Sequence, residues 1–179
     1  MTRLLLMRAE HGSAVRAFEL ANREYFAASV PDRGDAYFKD FDVRHSVLLA
    51  EQDAGMHYFH VLVAPEGEVV GRVNLIDVAD GTAELGYRVA KHATGRGLAT
   101  AAVRTVCVRA GAAYGLTSLR AVTTLDNPAS LAVLARTGFE AVGEEDVDGR
   151  PGLRFARDLR DVRELRDPRN SPTAPKANP

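Results

Sequence analysis

The run Thr94-Gly95-Arg96-Gly97-Leu98-Ala99 lies between a segment of alternating period and one of helical period. Glycines there let the backbone turn tightly and let a ligand come close. The unpaired amides at the start of the following helix, aided by its dipole, form an anion site suited to a phosphate or pyrophosphate. A dinucleotide fingerprint needs Gly-x-Gly-x-x-Gly in a parallel strand-helix-strand unit, and position 100 is Thr. A nucleotide P-loop needs a longer glycine spacing closed by Lys-Ser or Lys-Thr, a pattern absent from the chain. By itself the motif specifies a phosphate group and no more.

Other reactive residue types offer less. His57 and His60 lie three apart in a segment of period two, so they fall on opposite faces of a strand and do not share an ion. No metal is expected. Cys107 falls on the long helical segment with no His close in sequence, and is expected to be a packed small residue rather than a nucleophile. A lone cysteine forms no internal disulfide, and a reducing compartment fits it best.

These residues need elements to hold them. Leu4 to Met7 reads as a strand, and Val15, Phe18, Asn22 and Tyr25 recur at helical spacing from near Ser13. Pro31 to Asp35 is turn-like, and a second helical pattern through Val43, Val47, Leu48 and Ala54 stops at Gly55, so two helices are expected before the main sheet. From Met56 the period becomes two, and turns at Pro65-Glu66-Gly67-Glu68 and Ala79-Asp80-Gly81 fold Met56 to Ala90 into a three-stranded antiparallel meander. A helix follows, with Ala99, Ala102, Val103, Val106, Ala110 and Ala113 on one side and Thr100, Arg104 and Gly111 opposite. Strands are expected over Ser118 to Thr123, Phe139 to Gly143 and Leu153 to Leu159, with a short helix from Pro128 to Thr137.

The 179 residues amount to 19.4 kDa, about one domain. With 46% hydrophobic and 26% charged residues, the composition is that of a globular chain, not a disordered, collagenous or membrane one. Lys plus Arg number 23 against 24 Asp plus Glu, so no global charge draws the chain to nucleic acid or anionic lipid. No segment approaches a membrane span, and the start lacks the long apolar core of a signal peptide, so a cytoplasmic protein is expected. Arg recurs every third residue from Arg154 to Arg169 with acids between, and the tail at 166–179 is expected to be disordered.

Three segments together resemble the GNAT superfamily of N-acetyltransferases, in particular its ribosomal-protein alanine acetyltransferase (RimJ/RimL-like) branch. Thr94 to Ala99 is similar to the pyrophosphate motif Gln/Arg-x-x-Gly-x-Gly/Ala, with Gly97 and Ala99 at the defining places and Thr94 departing from the usual Gln or Arg. Ala83-Glu84-Leu85-Gly86-Tyr87-Arg88 is similar to the strand that leads into that loop, and Asn127-Pro128-Ala129-Ser130 with Gly138-Phe139 to the pantetheine-side element. The resemblance implies an α+β fold, a mixed, mostly antiparallel twisted sheet flanked by helices, as a single domain over 1–165. It implies a sheet splayed near the Glu84 strand, so that acetyl-coenzyme A enters between it and the Ser118 strand.

The same resemblance implies the roles. Acetyl-coenzyme A is the co-substrate, held by Val89, Ala90, Thr94, Gly95, Arg96, Gly97, Leu98, Ala99, Asn127 and Ser130. Glu84, ten residues before Thr94, stands where several members place a general base. It accepts the ammonium proton directly or through water if burial raises its pKa; otherwise it is a surface carboxylate paired with Arg88 or Arg72. Ser130 assists the departing sulfur or is an ordinary first-turn serine. Asn127 orients the pantetheine arm, caps the helix, or does both. The position of the tyrosine acid found in many members, four residues before the Gly138-Phe139 pair, is Leu134. The acceptor is a primary amine, either a protein N-terminus or a small molecule, attacking the thioester directly. The assembly is a monomer or homodimer without nucleic acid or membrane. The rival from another class is a non-catalytic acyl-coenzyme A sensor.

Overall fold

A computed structural model describes residues 1–160; the end of the Arg-repeat run and the 166–179 tail lie outside the described residues. In chain order the elements are β1 (Arg3–Leu6), α1 (Gly12–Ala21), α2 (Arg23–Ala27), α3 (Gly34–Lys39), α4 (Phe41–Asp53), β2 (Tyr58–Val63), β3 (Val69–Ala79) and β4 (Thr82–Val89). There follow α5 (Leu98–Ala113), β5 (Ser118–Thr124), α6 (Pro128–Arg136), β6 (Glu140–Val147) and β7 (Arg150–Asp158). The strands form one sheet in the order β1-β2-β3-β4-β5-β7-β6. The β4–β5 pair is parallel and every other pair antiparallel.

The meander from β2 to β4 forms as the alternation predicts. Both faces of its centre are covered: every residue of β3 from Val69 to Val73 is buried, with α1 and α5 both packed on the strand. Gln52 near the end of α4 donates to the Met7 carbonyl at 3.0 Å and accepts from the Phe59 amide at 2.9 Å, fixing that helix to β1 and β2.

Three expectations are corrected. Four α-helices, not two, precede β2, and the turn-like stretch ends in α3. The extra helices α2 and α3 have 5 and 6 residues, too few for an apolar stripe to repeat. On α5 the covered face includes Gly111 and Cys107, while Ala113 is exposed, because the stripe follows the sheet rather than an ideal wheel. Strands β6 and β7 are longer than expected and close on the Asp148-Gly149 turn, both residues having positive φ. Glu144, Glu145 and Asp146 hide the alternation there.

The parallel seam positions the site. β4 pairs with β5 only over Thr82, Ala83 and Glu84, whereas β5 pairs with β7 along its whole length. From Leu85 onward β4 leaves β5, and a wedge opens between the two halves of the sheet.

Candidate active site

The glycine loop from Thr94 to Ala99 lies at the mouth of this wedge. Gly95 and Gly97 both have φ +73, left-handed backbone that costs an L side chain about 1–2 kcal/mol, and a Cβ at either would meet nothing within 4 Å. Backbone conformation, not crowding, therefore calls for glycine. Gly97 is the N-cap of α5 and lacks a side-chain cap; the Ala101 amide donates to its carbonyl at 3.0 Å. The amides ahead of Ala101 are left for a ligand, in an exposed or half-buried loop. That is a fit for a diphosphate. Arg96 is exposed beside it. The Thr94 hydroxyl instead donates to the Lys91 carbonyl at 2.8 Å, tightening the turn, and the Lys91 amide donates to Asn22 Oδ1 at 2.9 Å, fastening the loop to the end of α1.

The strand entering the loop offers further donors. The Ala90 amide donates to the Val70 carbonyl at 2.9 Å, and the β3–β4 register pairs Arg88 with Arg72 and Gly86 with Asn74. Antiparallel ladders alternate, so Arg88 and Ala90 spend their amides on β3, while those of Tyr87 and Val89, beyond the last β4–β5 rung, face the wedge. Val89 thus has a donor for a ligand, and Ala90 does not.

On the other wall, Pro128 opens α6 and the Asn127 side chain accepts from the Ser130 amide at 3.1 Å, so Asn127 caps the helix. Ser130 Oγ lies 3.0 Å from the Tyr87 hydroxyl, which is also 3.2 Å from the Ser130 carbonyl oxygen. Burial pushes the Tyr87 phenol above its usual range, and the bond to Ser130 offsets part of this. Leu134 is 1% exposed and apolar, one turn further along α6.

Two adjoining cavities share the wall formed by Ser29, Val30, Tyr87, Arg88, Asn127 and Ser130. One reaches Thr94, Ala99 and Val89; the other reaches Asn74, Gly86, Thr123 and Leu134. The floor of the second is charged. Glu19 on α1, 2% exposed, accepts from Arg72 at 2.8 Å and from Arg88 at 3.0 Å. Burial alone would raise the Glu19 carboxyl, but the Arg88 and Arg72 guanidiniums overcome it and hold the group ionised, below its ordinary range. Arg72 Nε and Asn74 Oδ1 are buried without a hydrogen-bond partner among the described residues.

Glu84 is exposed on the last rung of the β4–β5 seam, opposite Arg120, and lines neither cavity. The alternative, an ion pair with Arg72 or Arg88, does not form among the described residues, because Glu19 occupies both guanidiniums. On the face of β4 that it shares with Arg88, only Gly86 stands between Glu84 and the second cavity, and a Cβ at Gly86 would meet nothing within 4 Å.

Of the expected residues, the structure brings together Val89, Thr94, Ala99, Asn127 and Ser130 around the first cavity; Gly95, Arg96, Gly97 and Leu98 form the loop beside it without lining it, and Glu84 and Ala90 also lie outside it. Sequence reasoning missed Tyr87 and Glu19. Alternation gives Tyr87 a face but not its partner on α6, and Glu19 carries no mark that distinguishes a buried carboxylate from a surface one.

Residues 3–140 match the family model described as "Acetyltransferase (GNAT) domain". The fold is similar to that of the ribosomal-protein-S5-alanine acetyltransferase of Vibrio fischeri, with a TM-score of 0.84 at 20% identity over 90% of this chain and 94% of that one. It is similar also to Mycobacterium smegmatis RimJ in complex with CoA-disulfide, with a TM-score of 0.76 at 29% identity over 89% of this chain and 83% of that one. A third likeness is to spermidine N-acetyltransferase from Vibrio cholerae in complex with CoA and spermine, with a TM-score of 0.73 at 15% identity over 90% and 97% of the two chains. No curated protein sequence matches the chain.

Proposed function

Because the chain belongs to the GNAT acetyltransferase family, an acetyl-coenzyme A-dependent one, we propose that its acceptor is a primary amine, with a protein N-terminal amine as the first candidate. The observation that carries the reading is the wedge, with a phosphate loop at one mouth and a separate polar cavity at the other, joined at Tyr87 and Ser130. Likeness to RimJ and to a ribosomal-protein alanine acetyltransferase supports the N-terminal acceptor.

The loop amides from Gly95 to Ala99 hold the diphosphate, with Arg96 adding a charge-assisted contact. The wedge-facing amides of Tyr87 and Val89 bind the pantetheine arm and polarise the thioester carbonyl. Asn127 orients that arm and caps α6 at once. The acceptor enters over Gly86 as an ammonium and gives its extra proton to a water that Glu84 holds; the neutral amine then attacks the carbonyl carbon directly and sheds a second proton as the amide forms. Ser130 hydrogen-bonds the departing sulfur.

The test is thiol release and acetyl mass gain with purified protein, acetyl-coenzyme A, peptides bearing a free N-terminus, and spermidine. Acetylated peptide is expected. Acetyl-coenzyme A bound without acetylation of any acceptor would establish the sensor instead, a reading that the apolar Leu134 keeps in play. Glu84→Gln is expected to lower kcat by roughly 10²-fold or more at neutral pH if the water-borne base is correct.

A further inference from the structure

The junction of the two cavities holds a pair of hydroxyls that the proposed chemistry uses only in part. The Tyr87 phenol comes from β4 and the Ser130 hydroxyl from the first turn of α6, so the pair spans the wedge at the junction of the two cavities, where the acetyltransferase reading puts the thioester sulfur. A phenol has one hydrogen, and Tyr87 has two acceptors in reach: Ser130 Oγ at 3.0 Å and the Ser130 carbonyl at 3.2 Å. If Tyr87 donates to the carbonyl, the serine hydrogen turns back to the phenol oxygen. If Tyr87 donates to Oγ, the serine hydrogen is free for a third atom. The Asn127 cap fixes Ser130 in its turn.

We infer that Tyr87 is a positioning residue that arms Ser130 as proton donor to the leaving sulfur and replaces the proton that Ser130 gives up. This rests on the acetyltransferase reading above. As the acceptor nitrogen bonds to the carbonyl carbon, the carbon–sulfur bond breaks with its electron pair on sulfur. Sulfur takes the serine hydrogen, and Ser130 takes the phenol hydrogen. The proton shed by the acceptor nitrogen returns to the phenol oxygen through water. The products are an amide and a thiol, and the pair is restored. Leu134 has no proton to give, and burial keeps the phenol protonated at neutral pH.

The experiment measures kcat and acetyl-coenzyme A affinity for the wild type, Tyr87→Phe, Ser130→Ala and the double variant, with the peptide acceptor acetylated best. Tyr87→Phe is expected to lower kcat by roughly tenfold to a hundredfold while calorimetric affinity for acetyl-coenzyme A stays within about threefold, which also reports that the variant is folded. The double variant is expected to fall no further than Ser130→Ala alone. With 3,5-difluorotyrosine at position 87, the alkaline limb of the kcat profile is expected to move to lower pH, a shift that packing alone does not produce. Wild-type kcat in Tyr87→Phe, a full multiplication of the two losses, or an unmoved alkaline limb overturns the relay. A wild type that binds acetyl-coenzyme A yet acetylates nothing overturns the enzyme reading and the relay together, whereas an active wild type with an equally active Tyr87→Phe overturns the relay alone.

Discussion

His60 is fully buried between β2 and α5, with Nδ1 donating to the Val73 carbonyl at 3.1 Å and Nε2 accepting from the Tyr114 hydroxyl at 2.7 Å. The Val73 oxygen can only accept, which fixes the neutral tautomer, and a second ring proton would face the Tyr114 hydrogen. Burial, then the Arg109 charge, pulls the imidazole down to about 4, while the Val73 bond opposes them. The unfolded chain takes up this proton near pH 6.5, and the folded chain refuses it until about pH 4. Stability therefore falls as pH falls across that window, by up to about 3 kcal/mol. Ring-proton NMR should show His60 neutral at pH 5; a midpoint near 6.5 would sink the prediction. Residue identity made the Thr94–Ala99 loop legible, because spaced glycines ahead of a helix mark a turn with left-handed backbone. It did not disclose His60, Tyr87 or Glu19, whose properties come from partners 54, 43 and 53 positions away in sequence.

At the scale of elements, α6 shows one residue serving helix and site together. Asn127 satisfies the Ser130 amide, one of the first-turn donors left without a partner inside the helix. Asn127→Ala removes that bond and should cost about 1 kcal/mol, lowering the melting temperature by about 2–4 °C. It should also lower kcat, since the turn that aims Ser130 loosens, whereas Asn127→Asp keeps an acceptor and should restore the melting temperature. A wild-type melting curve for Asn127→Ala, measured by circular dichroism, would show that the cap holds nothing. This helix was readable beforehand because Asn-Pro starts it and Gly138 follows it. The helices α2 and α3 have no such punctuation or stripe, and the wedge is invisible to periodicity. Local pattern finds strands, but where two of them stop pairing depends on β7 claiming β5 along its length.

Taken whole, the molecule is one sheet held together at its middle by three parallel rungs. Around β3 and β4, Glu19 ties α1 to both strands through a buried ion pair with Arg72 and a half-buried one with Arg88. Past Glu84, β4 and β5 share no rungs, and the Tyr87–Ser130 contact joins the two halves across the wedge together with Arg150 donating to the Ser29 carbonyl at 2.7 Å and Arg104 on α5 donating to the Arg136 carbonyl at 3.1 Å. The proposed co-substrate site draws on both halves: the loop and β4 from one, α6 from the other. A ligand bound there ties the halves together, and it binds only the folded chain. Acetyl-coenzyme A at a hundred times its dissociation constant should then add about 2.7 kcal/mol, raising the melting temperature by about 5–10 °C. Dephosphorylated pantetheine, lacking the diphosphate, should give far less, and Gly97→Ala, strained at its left-handed φ, should cut the shift given by acetyl-coenzyme A. Equal shifts from acetyl-coenzyme A and pantetheine would mean that the loop amides do not carry the binding, and the wedge would then have to be explained without a phosphate.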